Sequence, residues 1–259
     1  MYRHIPTLSR RSWQLALPGS RRNFQGTGYV NHSAPAAVEN GVDPRWLSNL
    51  RSEAKRKDND ASSRILMTLN DRWLQLSAGA EGFVGGEHAG LDRHTVVWGD
   101  MDSMGLLRKG HVNNVVYNKY AESARINWFR SLAKVARPEL QPEWEGLWAP
   151  KGVGLILKSI KTDYKLPIVY PDTVTVLHKL LERPSDDLTS IKLEVVILSH
   201  KHQRPAARCF EDIVVYDYRQ GKKTSAPRFL VDELQRMFDL QEDTHQQAVT
   251  EIRHLQKSL

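Results

Sequence analysis

Two carboxylates, Asp100 and Asp102, lie close together in a run of small and flexible residues. They precede the polar segment 110–114 and a long amphipathic stretch, and the asparagines of that segment favour the start of a helix. Free backbone N–H groups and the helix dipole stabilise negative charge at such an end. A carboxylate beside it could attack a polarised carbonyl, or activate water for the attack, while the amides stabilise the oxyanion.

The order of residues through this region resembles the signature of hot-dog-fold acyl-CoA thioesterases of the 4-hydroxybenzoyl-CoA thioesterase type. The shared pattern is D-x-D-x-x-G followed by H-V-N-N-x-x-Y-x-x-Y-x-E-x-A-R, and the wider resemblance covers about residues 91–230. It implies hydrolysis of an acyl-CoA substrate without a metal or another cofactor. It also implies a homodimer or homotetramer, because members of this fold commonly pair through their sheets. The matching residues are Asp100, Asp102, Gly105, His111, Val112, Asn113, Asn114, Tyr117, Tyr120, Glu122, Ala124 and Arg125.

The resemblance assigns the catalytic carboxylate to Asp102. From residue type alone, Asp102 could instead cap the turn, and Asp100 suits a turn or a salt bridge. His111 could act as an acid or base or could cap the helix, and Asn114 could orient substrate or water or act as an N-cap. We expect backbone amides of residues 110–112 to stabilise the oxyanion. Substrate contacts are expected at Gly110, Val112, Asn113 and Tyr117.

The turn itself departs from the family pattern. In the family a single glycine ends D-x-D-x-x-G and begins H-V-N-N, whereas this chain has both Gly105 and Gly110. The five additional residues, from Leu106 to Gly110, either bulge outward and leave the site intact or move Asp102 away from the helix. A displacement of ~1 Å can lower a rate about 100-fold, so this insertion bears directly on activity.

Several other catalytic classes lack their residues in this sequence. There is no G-x-S-x-G elbow and no G-x-x-x-x-G-K-[ST] loop. The one cysteine, Cys209, excludes an intrachain disulfide and a cysteine-based zinc site, and its place in a predicted strand favours a buried thiol. His200 and His202 have no evident third ligand, so we expect an exposed strand end there rather than a metal site.

Positive charge is concentrated at the N-terminus. The net charge of the 259 residues is +7, but residues 1–38 contain five arginines and no acidic residue. The rest of the chain is nearly neutral and has no basic stripe with interleaved aromatics, so we expect no direct nucleic-acid partner. No apolar run approaches the ~20 residues of a membrane span.

The arginine-rich, acid-free start is typical of a mitochondrial transit peptide. We expect cleavage near Phe24, after Arg21-Arg22-Asn23, and a location in the mitochondrial matrix. A disordered basic tail is the alternative.

The elements around the motif follow α+β order. Helices are predicted at 43–57, with Asp43 as N-cap and Pro44 at the first helical position, and at about 62–76. The tail 244–259 is mostly polar and is expected to be exposed or to contact a partner. The other predictions are a strand at 93–98, a helix from Asn114 to Pro138, an irregular loop at 139–151, strands at about 153–164, 172–183, 189–201 and 206–218, and a helix after Pro227.

We therefore predict an α+β hot-dog fold, in which an antiparallel sheet wraps a long central helix, with helical N- and C-terminal extensions. The predicted parts are a transit peptide (1–24), a linker and helical extension (25–85), the hot-dog thioesterase-like domain (86–226) and a C-terminal helical tail (227–259). The predicted function is a mitochondrial acyl-CoA thioesterase-like hydrolase that releases CoA and a carboxylic acid. The alternative is a non-catalytic hot-dog subunit of a mitochondrial assembly such as the mitochondrial ribosome.

Overall fold

An antiparallel sheet with a long helix against one face dominates the computed structural model, which describes residues 42–43, 45–101, 110–149 and 151–259. The strand order is β1-β3-β4-β5-β2, with the short β6 beside the end of β5. The elements are α1 (Trp46–Lys57), α2 (Asp60–Gly79), β1 (Leu91–Thr95), α3 (Asn114–Val135), α4 (Gln141–Gly146), β2 (Val153–Tyr164), β3 (Thr173–Leu180), β4 (Ser190–Ser199), β5 (Arg204–Asp217), β6 (Lys222–Lys223) and α5 (Arg228–Lys257). Within these ranges no helix is long and apolar enough to cross a membrane.

The apolar stripe of α3 packs on one face of the sheet, as its 3.6-residue period predicts. The strands contribute alternate residues to the same cluster, since successive side chains of a strand point to opposite faces. Cys209 is fully buried there, which confirms the predicted core thiol, and burial raises its pKa to about 11. The stripe of α3 comprises Tyr117, Tyr120, Ala121, Ala124, Trp128 and Leu132.

The opposite face of β3 and β4 is covered by the helical extension. Leu177, Val196 and Leu198 are buried against Trp73 of α2 and against Phe83. Charged groups mark the edge of this contact: Arg208 on β5 pairs with Glu194 on β4 and with Glu81, which follows α2. The extension is therefore part of the folded unit rather than an appended arm.

The expectation that residues 244–259 are exposed or contact a partner is wrong for the second half of α5. Ala248, Ile252 and Leu255 are buried in a cluster with α1 and α2 rather than exposed. Helices α2 and α5 approach closely at this point. A Cβ placed on Gly79 of α2 would lie only 2.9 Å from the Cβ of Ala248 in α5. The apolar residues of this segment are few, but they are spaced to face one side of the helix.

Three element boundaries differ from those predicted. Helix α1 begins at Trp46, and the carboxylate of Asp43 accepts the N–H of Arg45 ahead of it; Pro44 lies outside the described residues. Strand β1 ends at Thr95, because residues 98–100 form a single 3-10 turn. The predicted loop 139–151 contains α4, since Trp144 is buried in the core and proline favours a first helical turn.

Beneath α3 the sheet carries a buried charged cluster. Glu211 of β5 accepts a hydrogen bond from Arg125 of α3 at 2.6 Å, so Arg125 pairs across the core and not with Glu122 as the helical spacing predicts. His178 of β3 lies 3.7 Å from the other carboxylate oxygen and stacks on Trp128. Burial lowers the pKa of His178, with the carboxylate of Glu211 opposing the shift.

This cluster predicts acid sensitivity of the fold. The unfolded chain protonates His178 near its ordinary pKa of about 6.5, whereas the folded chain takes up that proton only at lower pH. The contribution of His178 is thus complete above about pH 6.5 and is lost as the pH falls, by at most ~1.4 kcal/mol per pH unit. Urea unfolding from about pH 7.5 to about pH 5.5 should show a steeper loss for the native chain than for His178→Phe, which keeps the stacking. Equal slopes would contradict this assignment.

Candidate functional site

The segment that carries the first aspartate runs directly beside the start of α3. Residues 98–100 form a 3-10 turn, and Met101 then forms an isolated antiparallel bridge with Val112. The carbonyl of Asp100 accepts the N–H of Asn113 at 2.9 Å. Asp102, Gly105 and the rest of 102–109 lie outside the described residues, so the structure describes the two flanks of the predicted catalytic turn.

Asn113 is the N-cap of α3. Its side-chain oxygen accepts the N–H of Val115 at 3.0 Å, as expected for a capping asparagine. Asn114 is the first helical residue and is exposed, and its carbonyl accepts the hydroxyl of Tyr164 at 3.2 Å. The predicted capping role of His111 is wrong: His111 is exposed, and its Nδ1 lies 3.0 Å from the carbonyl oxygen of Val112.

Among the amides predicted to stabilise the oxyanion, that of Val112 is engaged elsewhere. The N–H of Val112 donates to the carbonyl of Ile168 at 2.8 Å, so it cannot serve an oxyanion while this bond is intact. The N–H of Asn113 is occupied by Asp100. In the described part of the chain, the N–H of Asn114 has no acceptor. Gly110 is half-exposed on the approach to it.

Two predicted substrate contacts are buried in the core instead. Val112 is fully buried, and Tyr117 is only 2% exposed. The hydroxyl of Tyr117 accepts the N–H of Ile168 at 2.9 Å and donates to the carbonyl of Leu166 at 3.4 Å. Burial raises the pKa of Tyr117. Both residues therefore lie behind the surface of the site, and for Tyr117 this agrees with its place on the apolar stripe of α3.

Exposed aromatic and apolar side chains surround the start of α3. Trp98 is 71% exposed and meets Tyr170 edge to face, with ring centroids 5.7 Å apart. Val115 in the first turn of α3 and Tyr164 at the end of β2 are exposed as well. Exposed patches of this kind mark a ligand site or an interface. In the sequence, this patch is indicated by Trp98, which lies two positions before Asp100.

The two candidate histidines outside the motif have separate roles. His202 lies in the turn between β4 and β5 and makes no contact that suggests a metal site. His200 is half-buried, with its Nε2 2.8 Å from the hydroxyl oxygen of Thr175 and its ring edge-on to Trp73. Among the residues that the structure describes, no group of acidic, histidine and cysteine side chains could hold a metal ion.

Comparison with known families decides the relationship. The model of the thioesterase-like superfamily matches residues 96–238, more than half of the chain, from the end of β1 into α5. The chain belongs to the thioesterase-like superfamily. The match includes α3 and strands β2 to β5, and the predicted α+β hot-dog architecture is confirmed.

Solved structures similar to this thioesterase-like protein include a thioesterase from Thermus thermophilus complexed with coenzyme A and zinc, at 22% identity and a TM-score of 0.44, covering 60% of this chain and 98% of that one. A proposed thioesterase from Pseudomonas aeruginosa is 27% identical, with a TM-score of 0.41 and coverage of 54% and 92%. The DHNA-CoA thioesterase from Staphylococcus aureus is 15% identical, with a TM-score of 0.44 and coverage of 59% and 92%. None of the curated proteins matches the chain.

The capping geometry separates two neighbouring asparagines. Asn113→Ala removes the bond to Val115 and should lower the free energy of unfolding by ~1 kcal/mol. Asn114→Ala changes an exposed side chain at the first helical position and should alter it by less than about 0.5 kcal/mol. Chemical unfolding of both variants beside the native chain checks this. Equal effects, or a larger loss for Asn114→Ala, would show that the cap is assigned to the wrong residue.

Proposed function

We propose that this thioesterase-like protein hydrolyses an acyl-CoA thioester and releases CoA and a carboxylic acid. The observation that carries the proposal is the pairing of Met101 with Val112, which holds Asp100 and Met101 beside the start of α3. Asp102 is the next residue after Met101 in the sequence. The thioesterase-like superfamily match and the charge-stabilising end of α3 support the same reaction.

In the proposed reaction the Asp102 carboxylate attacks the thioester carbonyl directly or takes a proton from the water that attacks it. In direct attack the C–S bond breaks as a mixed anhydride forms, and water then hydrolyses the anhydride, restoring the carboxylate and supplying the proton that the thiolate takes. With water as the nucleophile, a new C–O bond forms and the carbonyl electrons move to oxygen. We propose that the N–H of Asn114 joins those of Gly110 and His111 in stabilising this oxyanion, because the N–H of Val112 donates to Ile168. Collapse of the intermediate breaks the C–S bond, and the departing thiolate receives the proton that the carboxylate had taken.

A second copy of the chain is the proposed partner. Strand β2 pairs only with β5 among the described strands, so it forms one edge of the sheet. Leu157 and Tyr164 of this strand are exposed. The hydroxyl of Tyr164 donates to the carbonyl of Asn114, next to the exposed Val115 in the first turn of α3. Edge strands present backbone donors and acceptors for pairing. The covered outer face of β3 and β4 is closed to sheet stacking, so we propose a homodimer rather than a homotetramer.

Hydrolysis should depend on Asp102. The chain from Gln25 onward should release CoA from acyl-CoA, and Asp102→Asn should lower turnover by at least about 100-fold, because it removes the base or nucleophile. Asp100→Asn is the matched control, since the contact that Asp100 makes to Asn113 uses its backbone carbonyl. Release of CoA, followed with a thiol reagent over short, long and aromatic acyl groups, is the measurement.

A parallel variant without residues 106–110 separates two reasons for inactivity. Turnover only in the shortened chain would mean that the insertion disables the site. The absence of turnover in both chains would contradict the proposed hydrolysis and favour the non-catalytic subunit.

We also propose that the protein works in the mitochondrial matrix after removal of its N-terminal segment. The arginine-rich, acid-free composition of residues 1–38 supports this. Protein purified from mitochondria of its natural source should begin near Gln25 and elute with the mass of a dimer. An intact Met1 would contradict the processing, and recovery in a stable large complex would favour a subunit of an assembly.

A further inference from the structure

A chain of buried hydrogen bonds connects the first turn of α3 to the residues just before the helix. The hydroxyl of Tyr117 holds the N–H of Ile168 at 2.9 Å and reaches the carbonyl of Leu166 at 3.4 Å. The carbonyl of Ile168 in turn accepts the N–H of Val112 at 2.8 Å. Residues 166–168 therefore contact α3 and its approach at the same time.

The same chain of contacts continues to the D-x-D segment. Val112 forms the bridge to Met101, and the next residue, Asn113, donates to Asp100. Ile168 and Val112 are fully buried, so water cannot replace these bonds in place. A buried N–H that loses its acceptor carries the full desolvation penalty. Each link is thus held in one arrangement while Tyr117 is present.

We propose that Tyr117 is a positioning residue: its hydroxyl fixes residues 166–168, which fix Val112 and with it the spacing between residues 100–101 and the start of α3. Tyr117 does not contact substrate in this assignment, because it is buried behind the site. Its catalytic consequence rests on the proposed hydrolysis. Small errors in such spacing are costly, since a displacement of ~1 Å can lower a rate about 100-fold.

Tyr120 provides a matched control within the same motif. It lies on the same stripe of α3 and is equally buried, at 3% exposed against 2% for Tyr117. Its hydroxyl meets no partner at hydrogen-bonding geometry among the described residues, although it lies near the carboxylate of Asp100. Burial, and after it this carboxylate, raise the pKa of Tyr120 to about 12. Phenylalanine at 120 therefore leaves the bonds to Leu166 and Ile168 in place, whereas phenylalanine at 117 removes both.

The test compares Tyr117→Phe and Tyr120→Phe in the full chain by backbone amide exchange and by acyl-CoA turnover. Tyr117→Phe should accelerate exchange at Ile168 and Val112 by about tenfold, the effect of losing one or two hydrogen bonds. Exchange at Val195 in the centre of β4 should not change. The value of kcat should fall by roughly 10- to 100-fold while KM changes little, because spacing and not binding is disturbed.

Two outcomes would overturn the proposal. Unchanged exchange at Ile168 and Val112 in Tyr117→Phe would show that the hydroxyl does not hold this segment. Faster exchange at Ile168 and Val112 with native kcat would show that Tyr117 holds the segment without positioning the site. A native chain without turnover would refute the proposed hydrolysis alone, and the exchange comparison would still decide whether Tyr117 holds residues 166–168.

Discussion

The close packing of α3 against the segment that precedes β1 is the constraint on which the rest of this structure depends. Ala121 and Ala124 are fully buried and leave little side-chain bulk on the packed stripe. Gly90 packs directly against this stripe. A larger residue would not fit there, since its Cβ would lie 2.5 Å from the carbonyl oxygen of Ala124. The amide of Asn127 then reaches the carbonyl of Gly90 at 2.9 Å. A helix held this closely places its first turn in a defined position relative to β1 and the residues that follow it.

Charged pairs on both faces of the sheet join elements distant in sequence. Under α3, Arg125 and Glu211 pair across the core, with His178 beside them. A buried pair adds little net stability but penalises arrangements in which one partner is left alone, so this pair favours a single placement of α3. On the other face, Arg208 links the sheet to the more exposed Glu81 of the extension, which precedes the region matched by the family model.

Periodic patterns in the sequence predicted the strands and the central helix. The positions of β2 to β5 and the stripe of α3 were confirmed within a few residues, although β3 and β4 are buried on both faces and not on one only. What could not be predicted depends on partners far along the chain. Val112 looks like a site residue in the motif, and only its hydrogen bond to Ile168 shows that it belongs to the core, whereas the apolar stripe of α3 already indicated burial of Tyr117. The helical residues of 244–259 likewise needed α1 and α2 to bury them.

The bridge between Met101 and Val112 also limits what the inserted loop can change. The described residues end at Met101 and resume at Gly110, two residues before Val112. Since the flanking residues pair with each other, additional loop length has a small entropic cost and need not separate them. The hydrogen bond from the N–H of Asn113 to the carbonyl of Asp100 is consistent with this, since it forms in a chain that carries the insertion. The contacts of Asp100, Met101 and Val112 thus do not require the shorter turn of the family pattern, and the start of α3 keeps its support from Ile168 and Tyr117.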